Sequence, residues 1–398
     1  MSSSPDSPFE LGRAEQRGGV LGLRAGQALS GATGAVALVA GIGSGSTAGL
    51  VVGIVALAVA IAVATVPVSG RGLDEWVPIA AAHLTRVRGG ALCAGASVQP
   101  GGDALVPAHL RWPDGTATVV AALAHRGLRA LGPEPRAFGE SLAGWLRGLG
   151  SAGAPSWTVT ILTTTGPGCS PRVAPWIDPG MHVTSCLAVT AAEPVRVAEV
   201  LAAAGVDGAA DLGVEALDDL LAARVAPGYG TILGCDVAAR WHLLEAPSTV
   251  HGAFFVEEWP MGSVDEQVLA PLCTSRDRRT VAISMRVEEL RRARERTARV
   301  RTAAAADAQL IARGGFLASP ESNRDSDQDA TRANELAVGH GSMRLVGVIA
   351  LDARDVVELE FAAARLLADA ATCGVRLRRC EGDHRRGVLA SVPGWCVP

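Results

Sequence analysis

Ala25-Gly-Gln-Ala-Leu-Ser30-Gly-Ala-Thr-Gly-Ala35-Val-Ala-Leu-Val-Ala40-Gly-Ile-Gly-Ser-Gly45-Ser-Thr-Ala-Gly-Leu50-Val-Val-Gly-Ile-Val55-Ala-Leu-Ala-Val-Ala60-Ile-Ala-Val-Ala-Thr65-Val-Pro-Val-Ser-Gly70 lies between Arg24 and Arg71 without one charged residue. A charge at the centre of a membrane-crossing helix costs about 2.5–3.5 kcal/mol on insertion scales, so a clean window of this length is informative. It is too long for one span of about 20 residues and suits two. Gly41-Ile-Gly-Ser-Gly-Ser-Thr-Ala-Gly49 supplies small residues for the reversal. The expectation is a transmembrane hairpin, Ala25 to about Gly41 and about Ala48 to Val68.

Two rival readings are weaker. Gly43-Ser-Gly45-Ser-Thr-Ala48 matches a dinucleotide-binding fingerprint, but the next acidic residue is Asp74, and the following helix is apolar all round. A cleaved signal peptide has a single short apolar core, and here there are two.

The flanks orient the hairpin. Arg13, Arg17 and Arg24 precede it, Arg71, Arg86 and Arg88 follow it, and the turn carries no arginine. The positive-inside rule then puts both termini and the following domains in the cytoplasm, making the chain a multi-pass protein of the cytoplasmic membrane. Trp76 falls where an interfacial aromatic belongs, on a helix expected from about Asp74 to Val87.

The rest of the 398 residues have room for two further domains. Residues 1–24 form a tail, 25–70 the hairpin, 71–104 a juxtamembrane helix and linker, 105–240 a first α+β domain and 241–398 a second. In the first, Pro113-Asp-Gly115 between two apolar runs reads as a β-hairpin turn. Pro135–Gly150, Pro194–Ala204 and Ala216–Val225 read as helices, and Ser156–Thr165 and the run from Cys186 as strands. In the second, strands are expected at Ser248–Trp259, Thr280–Met285, Met343–Leu351 and from Val375. A long helix is expected from Val287 to about Arg313, a polar break at Ser319–Asp329, then helices at about Ala330–Val338 and Asp355–Ala371. Strand, helical arm, strand, helix, strand points to a ferredoxin-like α+β sandwich. No repeat at a fixed period is visible.

The chemistry-bearing residues are few. All 36 basic residues are arginine, which removes a Walker A loop, a protein kinase and a Schiff-base enzyme. The eight cysteines, Cys93, Cys169, Cys186, Cys235, Cys273, Cys373, Cys380 and Cys396, show no C-x-x-C pair and no zinc-like spacing to histidine, so buried free thiols are expected. Glu257 and Glu258, adjacent on a strand, are expected on opposite faces and so cannot act as an acid–base couple. His340 and Asp383-His384 have no nucleophile context, and Trp112, Trp145, Trp157 and Trp241 suit packing. No catalytic, cofactor-binding or metal-ligating residue is singled out.

The most basic segment carries Arg291, Arg292, Arg294, Arg296, Arg299 and Arg301, with Glu288, Glu289 and Glu295 at partner spacing. A solvated or partner-facing helix is the first reading, and phosphate contact with nucleic acid or anionic lipid the second.

Several short motifs together resemble a known group. Arg17-Gly-Gly-Val-Leu-Gly-Leu-Arg-Ala-Gly-Gln27, the hairpin, and Val66-Pro-Val-Ser-Gly-Arg71-Gly-Leu-Asp-Glu-Trp76 are similar to the head of actinobacterial PrgI- and EccE-like membrane components of conjugative (type IV-like) and type VII secretion systems. Phe255-Val-Glu-Glu-Trp-Pro260, Leu269-Ala-Pro-Leu272, Glu335-Leu-Ala-Val-Gly-His340 with Val346-Gly-Val-Ile, Gly382 and Val392-Pro393 are similar to the N-terminal, non-motor region of conjugation ATPases. The resemblance implies a non-catalytic, membrane-anchored scaffold that docks a separate ATPase and other membrane subunits. It supplies no catalytic residue. The alternatives are a membrane-tethered transferase-like enzyme and a nucleic-acid guide using the arginine helix.

Overall fold

The computed structural model describes residues 25–65, 67–68, 71–85, 92–93, 95–101, 106–123, 157–166, 182–192, 194–195, 209–222, 232–260, 268–288, 290–313, 320–338 and 342–394. The expected helix at 135–150, nearly all of that at 194–204, the N-terminal tail, His340, Trp145, Cys169 and Cys396 lie outside them. The chain divides into two units, one built from residues 87–289 and 341–398, the other from residues 15–86 and 290–340.

In the second unit, α1 (Ala25–Gly43) and α2 (Thr47–Thr65) pair as a helical hairpin around the Ser44–Ser46 turn, where Ser44 Oγ donates to the Gly41 carbonyl at 2.7 Å. Small residues set the closeness of the pair: a Cβ on Gly53 would meet the Leu38 backbone at 2.9 Å. The outward side chains, Val36, Val39, Val52 and Ile54 among them, are exposed. The hairpin is therefore helical, but the transmembrane expectation is corrected. Among the described residues no helix is long and apolar enough to cross a membrane. The multi-pass cytoplasmic-membrane localisation and the N-terminal transmembrane element of the fold class fall with it. A two-residue ladder, β1 (Pro67–Val68) with β2 (Arg71–Gly72), leads into α3 (Leu73–Thr85), which carries half-buried Trp76.

The first unit is organised on one antiparallel sheet of 12 strands. Its amino-terminal half holds β3 (Ser97–Gln99), β4 (His109–Arg111), β5 (Ala117–Leu123), β6 (Thr158–Gly166), β7 (His182–Ala191), β8 (Ala209–Asp211) and α4 (Val214–Ala222). Its carboxy-terminal half holds β9 (Ala238–Ala239), β10 (Leu244–Glu245), β11 (Val250–Glu258), α5 (Ala270–Cys273) and β12 (Arg278–Glu288). Then come α6 (Leu290–Arg313) and α7 (Pro320–Val338) of the second unit, followed by β13 (Ser342–Ala353), α8 (Val356–Thr372), β14 (Arg376–Arg379) and α9 (His384–Ala390). The polar run expected as a break at 319–329 is helical from Pro320, a residue suited to the first turn of a helix.

The two halves have the same strand order. In the first, β5 lies between β8 and β7, and β7 lies between β5 and β6. In the second, β11 lies between β14 and β13, and β13 lies between β11 and β12. Counting strands within each half, both read 4-1-3-2 with every pairing antiparallel, the order of a βαββαβ ferredoxin-like sheet. Each half is preceded by a short ribbon strand (β4, β10) and followed by a helix (α4, α9). The halves join edge to edge through β6 and β12, from Thr158↔Arg286 to Thr165↔Arg279. The expected boundary at residue 240 thus falls inside a single sheet, and an apolar core crosses it: Leu162, Cys186 and Leu217 share a cluster with Ala253, Ala282 and Val388.

The second core cluster lies under α8. Phe254, Ile349 and Leu351 from the sheet meet Leu359, Ala362, Leu366 and Ala370. Buried positions at spacing 3, 4 and 4 put one face of α8 on the sheet; fully burying one of its leucines is worth about 1.5–3 kcal/mol. Asp355 caps the helix by accepting from Glu358 N at 2.8 Å. At the other end Gly374 takes φ +67°, and Val375 N and Gly374 N return to the carbonyls of Ala370 and Ala371, a Schellman closure that an L side chain would strain.

Candidate docking site

The helical arm α6–α7 is rich in exposed polar residues and is inserted between the second and third strands of the carboxy-terminal half. In the amino-terminal half the same pair of strands is joined by residues 167–181; here the connection runs through residues 289–341. Inside the arm the described buried residues are Ala293, Thr297 and Leu336, all at its root. Further out, Thr302 to Ala306 are exposed on every face of α6.

Arg294 closes the root. Its Nε and Nη2 donate to the Leu336 carbonyl at 2.9 and 2.7 Å, and Nη2 also reaches the Ala337 carbonyl at 3.4 Å. These are last-turn carbonyls of α7, which have no partner within their own helix and carry its negative dipole end. A planar guanidinium satisfies them in a way a lysine ammonium does not. Beside this contact lies a groove of about 330 Å³, lined by Arg294, Thr297, Arg301, Ala333 and Leu336 among others. Glu295 is flanked by Arg291 at 3.5 Å and Arg299 at 3.7 Å, each one helical turn away. Seven arginines on α6 stand against two acids, whereas α7 has five acids against two arginines. The antiparallel arm is accordingly basic toward its root on α6 and acidic toward the start of α7.

The other polar groups are absorbed into the sheet. Thr249, His251 and Asp352 form a buried relay: Thr249 Oγ1 lies 3.1 Å from His251 Nε2, and His251 Nδ1 lies 2.6 Å from Asp352 Oδ1. The order resembles a hydrolase triad, but His251 is fully buried and the other two are nearly so. Since His251 and Asp352 are direct cross-strand partners, the relay pins β11 to β13. Sequence reading missed it because the residues lie 101 positions apart with no local motif; a polar Thr-x-His at the start of an apolar strand was the only signal.

Arg279, also missed, is completely buried. It donates to the Leu272 carbonyl at 3.2 Å and to Asp369 Oδ2 at 2.9 Å. Asp277, 3.8 Å from Arg279 Nη2, accepts two bonds from Arg365. Burial pushes the Asp277 carboxyl up, but the Arg365 bonds, Ser275 and the Arg279 charge outweigh it and hold the group below its usual range.

Glu257 and Glu258 do not sit on opposite faces. A β-bulge between Val256 and Glu258 opposes two residues to one of β14, and both carboxylates meet Arg376, at 3.0 and 2.9 Å. His384 accepts the Ala253 backbone N–H on Nδ1 at 3.1 Å. Burial, helped by the nearby charges of Arg379 and His242, lowers its pKa to about 3, so the ring is neutral. Among the described residues no three His, Cys, Asp or Glu gather as a metal set. The six described cysteines are free and buried, and burial raises Cys186 to about 12, keeping it a thiol.

No protein-family model matches the chain, and no curated protein matches it.

Proposed function

We infer that the chain is a non-catalytic docking subunit of a conjugation or secretion machine, and that it presents the α6–α7 arm to a separate ATPase. The observation that carries this is the arm itself. A strand connection that needs only a short turn is replaced by two helices that bury little of their own surface and hold themselves together through Arg294. Ordering a backbone costs about 1–2 kcal/mol per residue, so an exposed insertion of this length has its compensation outside its own core. Its split charge, basic on α6 and acidic on α7, gives a partner an orientation to read. The likeness of Phe255–Pro260 and Glu335–His340 to the non-motor region of conjugation ATPases names the class of partner.

The test is co-purification of the tagged full chain from crosslinked cells. The reading expects a nucleotide-hydrolysing subunit to be recovered, and its recovery to be lost when residues 290–340 are replaced by a short Gly/Ser link. Equal recovery without the arm refutes it.

A further inference from the structure

The groove between α6 and α7 holds polar groups that the arm itself leaves unused. Arg294, Thr297, Ala298 and Arg301 line it from α6 at the spacing 3, 1, 3, and Ala333 and Leu336 line it from α7. Thr297 is only 6% exposed, yet its hydroxyl forms no hydrogen bond among the described residues. Arg294 commits Nε and Nη2 to the α7 carbonyls, which leaves Nη1 without a hydrogen bond among the described residues. Arg291 and Arg299 are held by Glu295, but Arg301 enters no ion pair or hydrogen bond among the described residues. All three groups can donate, two of them with positive charge, so an anionic acceptor completes them best.

The two guanidiniums stand at residues seven apart, about 10.5 Å along α6 at about 1.5 Å per residue. Between them the floor is apolar and low: Ala298 and Ala333 are methyl-sized, and Leu336 is buried. A third helix fits on such a floor at the ordinary packing distance of about 8–10 Å. Two acids seven residues apart on that helix have the same separation and meet both guanidiniums. Nucleic acid presents a phosphate at every nucleotide and calls for a run of free cations, whereas Arg291 and Arg299 already have Glu295.

We propose that this groove binds an acidic helical segment of a protein partner, with two carboxylates seven residues apart pairing with Arg294 and Arg301 on either side of Thr297. The proposal rests on the reading of the arm as a docking element and adds the chemistry of what docks.

The probe is a fluorescein-labelled Ala/Gln-rich helical peptide with Glu at two positions seven apart, compared with the same peptide carrying Gln there. Each is titrated with the full chain and followed by fluorescence anisotropy. The Glu peptide is expected to bind about tenfold tighter or more, with the difference shrinking in high salt. Arg301→Gln is expected to weaken the Glu peptide by about five- to tenfold, and Ala298→Trp, which fills the groove, to remove its binding. Arg299→Gln makes the same charge change outside the groove and is expected to alter affinity by less than about twofold. Peptides bound equally well, or not at all, overturn the proposal, as does an equal loss in Arg299→Gln and Arg301→Gln. A short DNA duplex that displaces the Glu peptide at equal concentration, dependent on Arg301, overturns it as well by making phosphate the ligand. The docking reading fails separately: ATPase recovery from cells that survives loss of the arm refutes that reading even where the peptide binds. A groove that ignores the peptide overturns only the acidic-helix proposal.

Discussion

Ile161 of β6 lies directly opposite Ile283 of β12, at the middle of the seam where the two ferredoxin-like halves join. Both are buried, and on the other face of the same seam Thr160 and Ser284 share a hydrogen bond of 3.0 Å. Ile161→Ala and Ile283→Ala are each expected to cost about 2–5 kcal/mol in denaturant unfolding. As direct neighbours they are expected to couple by about 0.5–3 kcal/mol in a double-mutant cycle. Strict additivity would mean that the halves do not depend on this pair.

The arm's root makes a sharper prediction. Arg294→Ala leaves the last carbonyls of α7 without their donor, and hydrogen exchange at residues 331–338 is expected to accelerate by about ten- to a hundredfold, as for loss of a charged hydrogen bond worth about 1.5–3 kcal/mol. Arg294→Lys is expected to restore only part of the protection, since one ammonium cannot span the fork. Unchanged exchange in both variants would remove Arg294 from this role.

His384 gives a pH dependence with a definite sign. Its folded pKa, about 3, lies below the ordinary value of 6.5. Between these values the unfolded chain binds a proton that the folded chain does not, so stability is full above pH 6.5 and falls as the pH drops toward 3. At about 1.36 kcal/mol per unit the full loss is several kcal/mol. His384→Gln is expected to be less stable than the parent in neutral solution and to flatten the curve as the pH drops from about 6.5 to about 5. A parent chain whose unfolding midpoint does not move over that interval would contradict the assignment.

Asp277 acts at lower pH. Its carboxyl is held below the usual range by Arg365, so its contribution is present above the unfolded pKa and is lost as pH falls through the folded one. Asp277→Asn is expected to lower the thermal midpoint in neutral solution and to narrow the gap to the parent in strong acid. Because this substitution leaves Arg279 buried with one carboxylate fewer, the loss at neutral pH is expected at about 1–3 kcal/mol. Parallel curves across that range would argue against the ion pair.

Much of this architecture was legible in local pattern. The Asp114-Gly115 turn, the β-branched alternation of Ser156–Thr165 and the apolar periodicity of Val356–Leu367 each specify an element by short-range chemistry, and β5, β6 and α8 stand there. What remained hidden is non-local. The duplication lies in strand order and leaves no sequence repeat, because a sheet position requires only an apolar or β-branched residue. The His251–Asp352 pair depends on register between distant strands. Glu257 was misread because a bulge breaks the alternation on which the reading rested. The uncharged window at 25–70 specifies two helices and a turn, but its composition could not fix the length of helix that forms. The arginines of 291–301 marked the arm as a surface, while the structural duty of Arg294 appears only once α7 is beside it.

The docking role of the arm is tested most directly by placing a photocrosslinking residue at Ala305, an exposed position on α6, in the otherwise intact chain in its own cells. The account predicts a crosslink to an ATPase of the same machine, weakened when the α6 arginines are reversed in charge. Crosslinking that never reaches a nucleotide-hydrolysing protein, with the same label at exposed Thr372 on α8 as comparison, would contradict it.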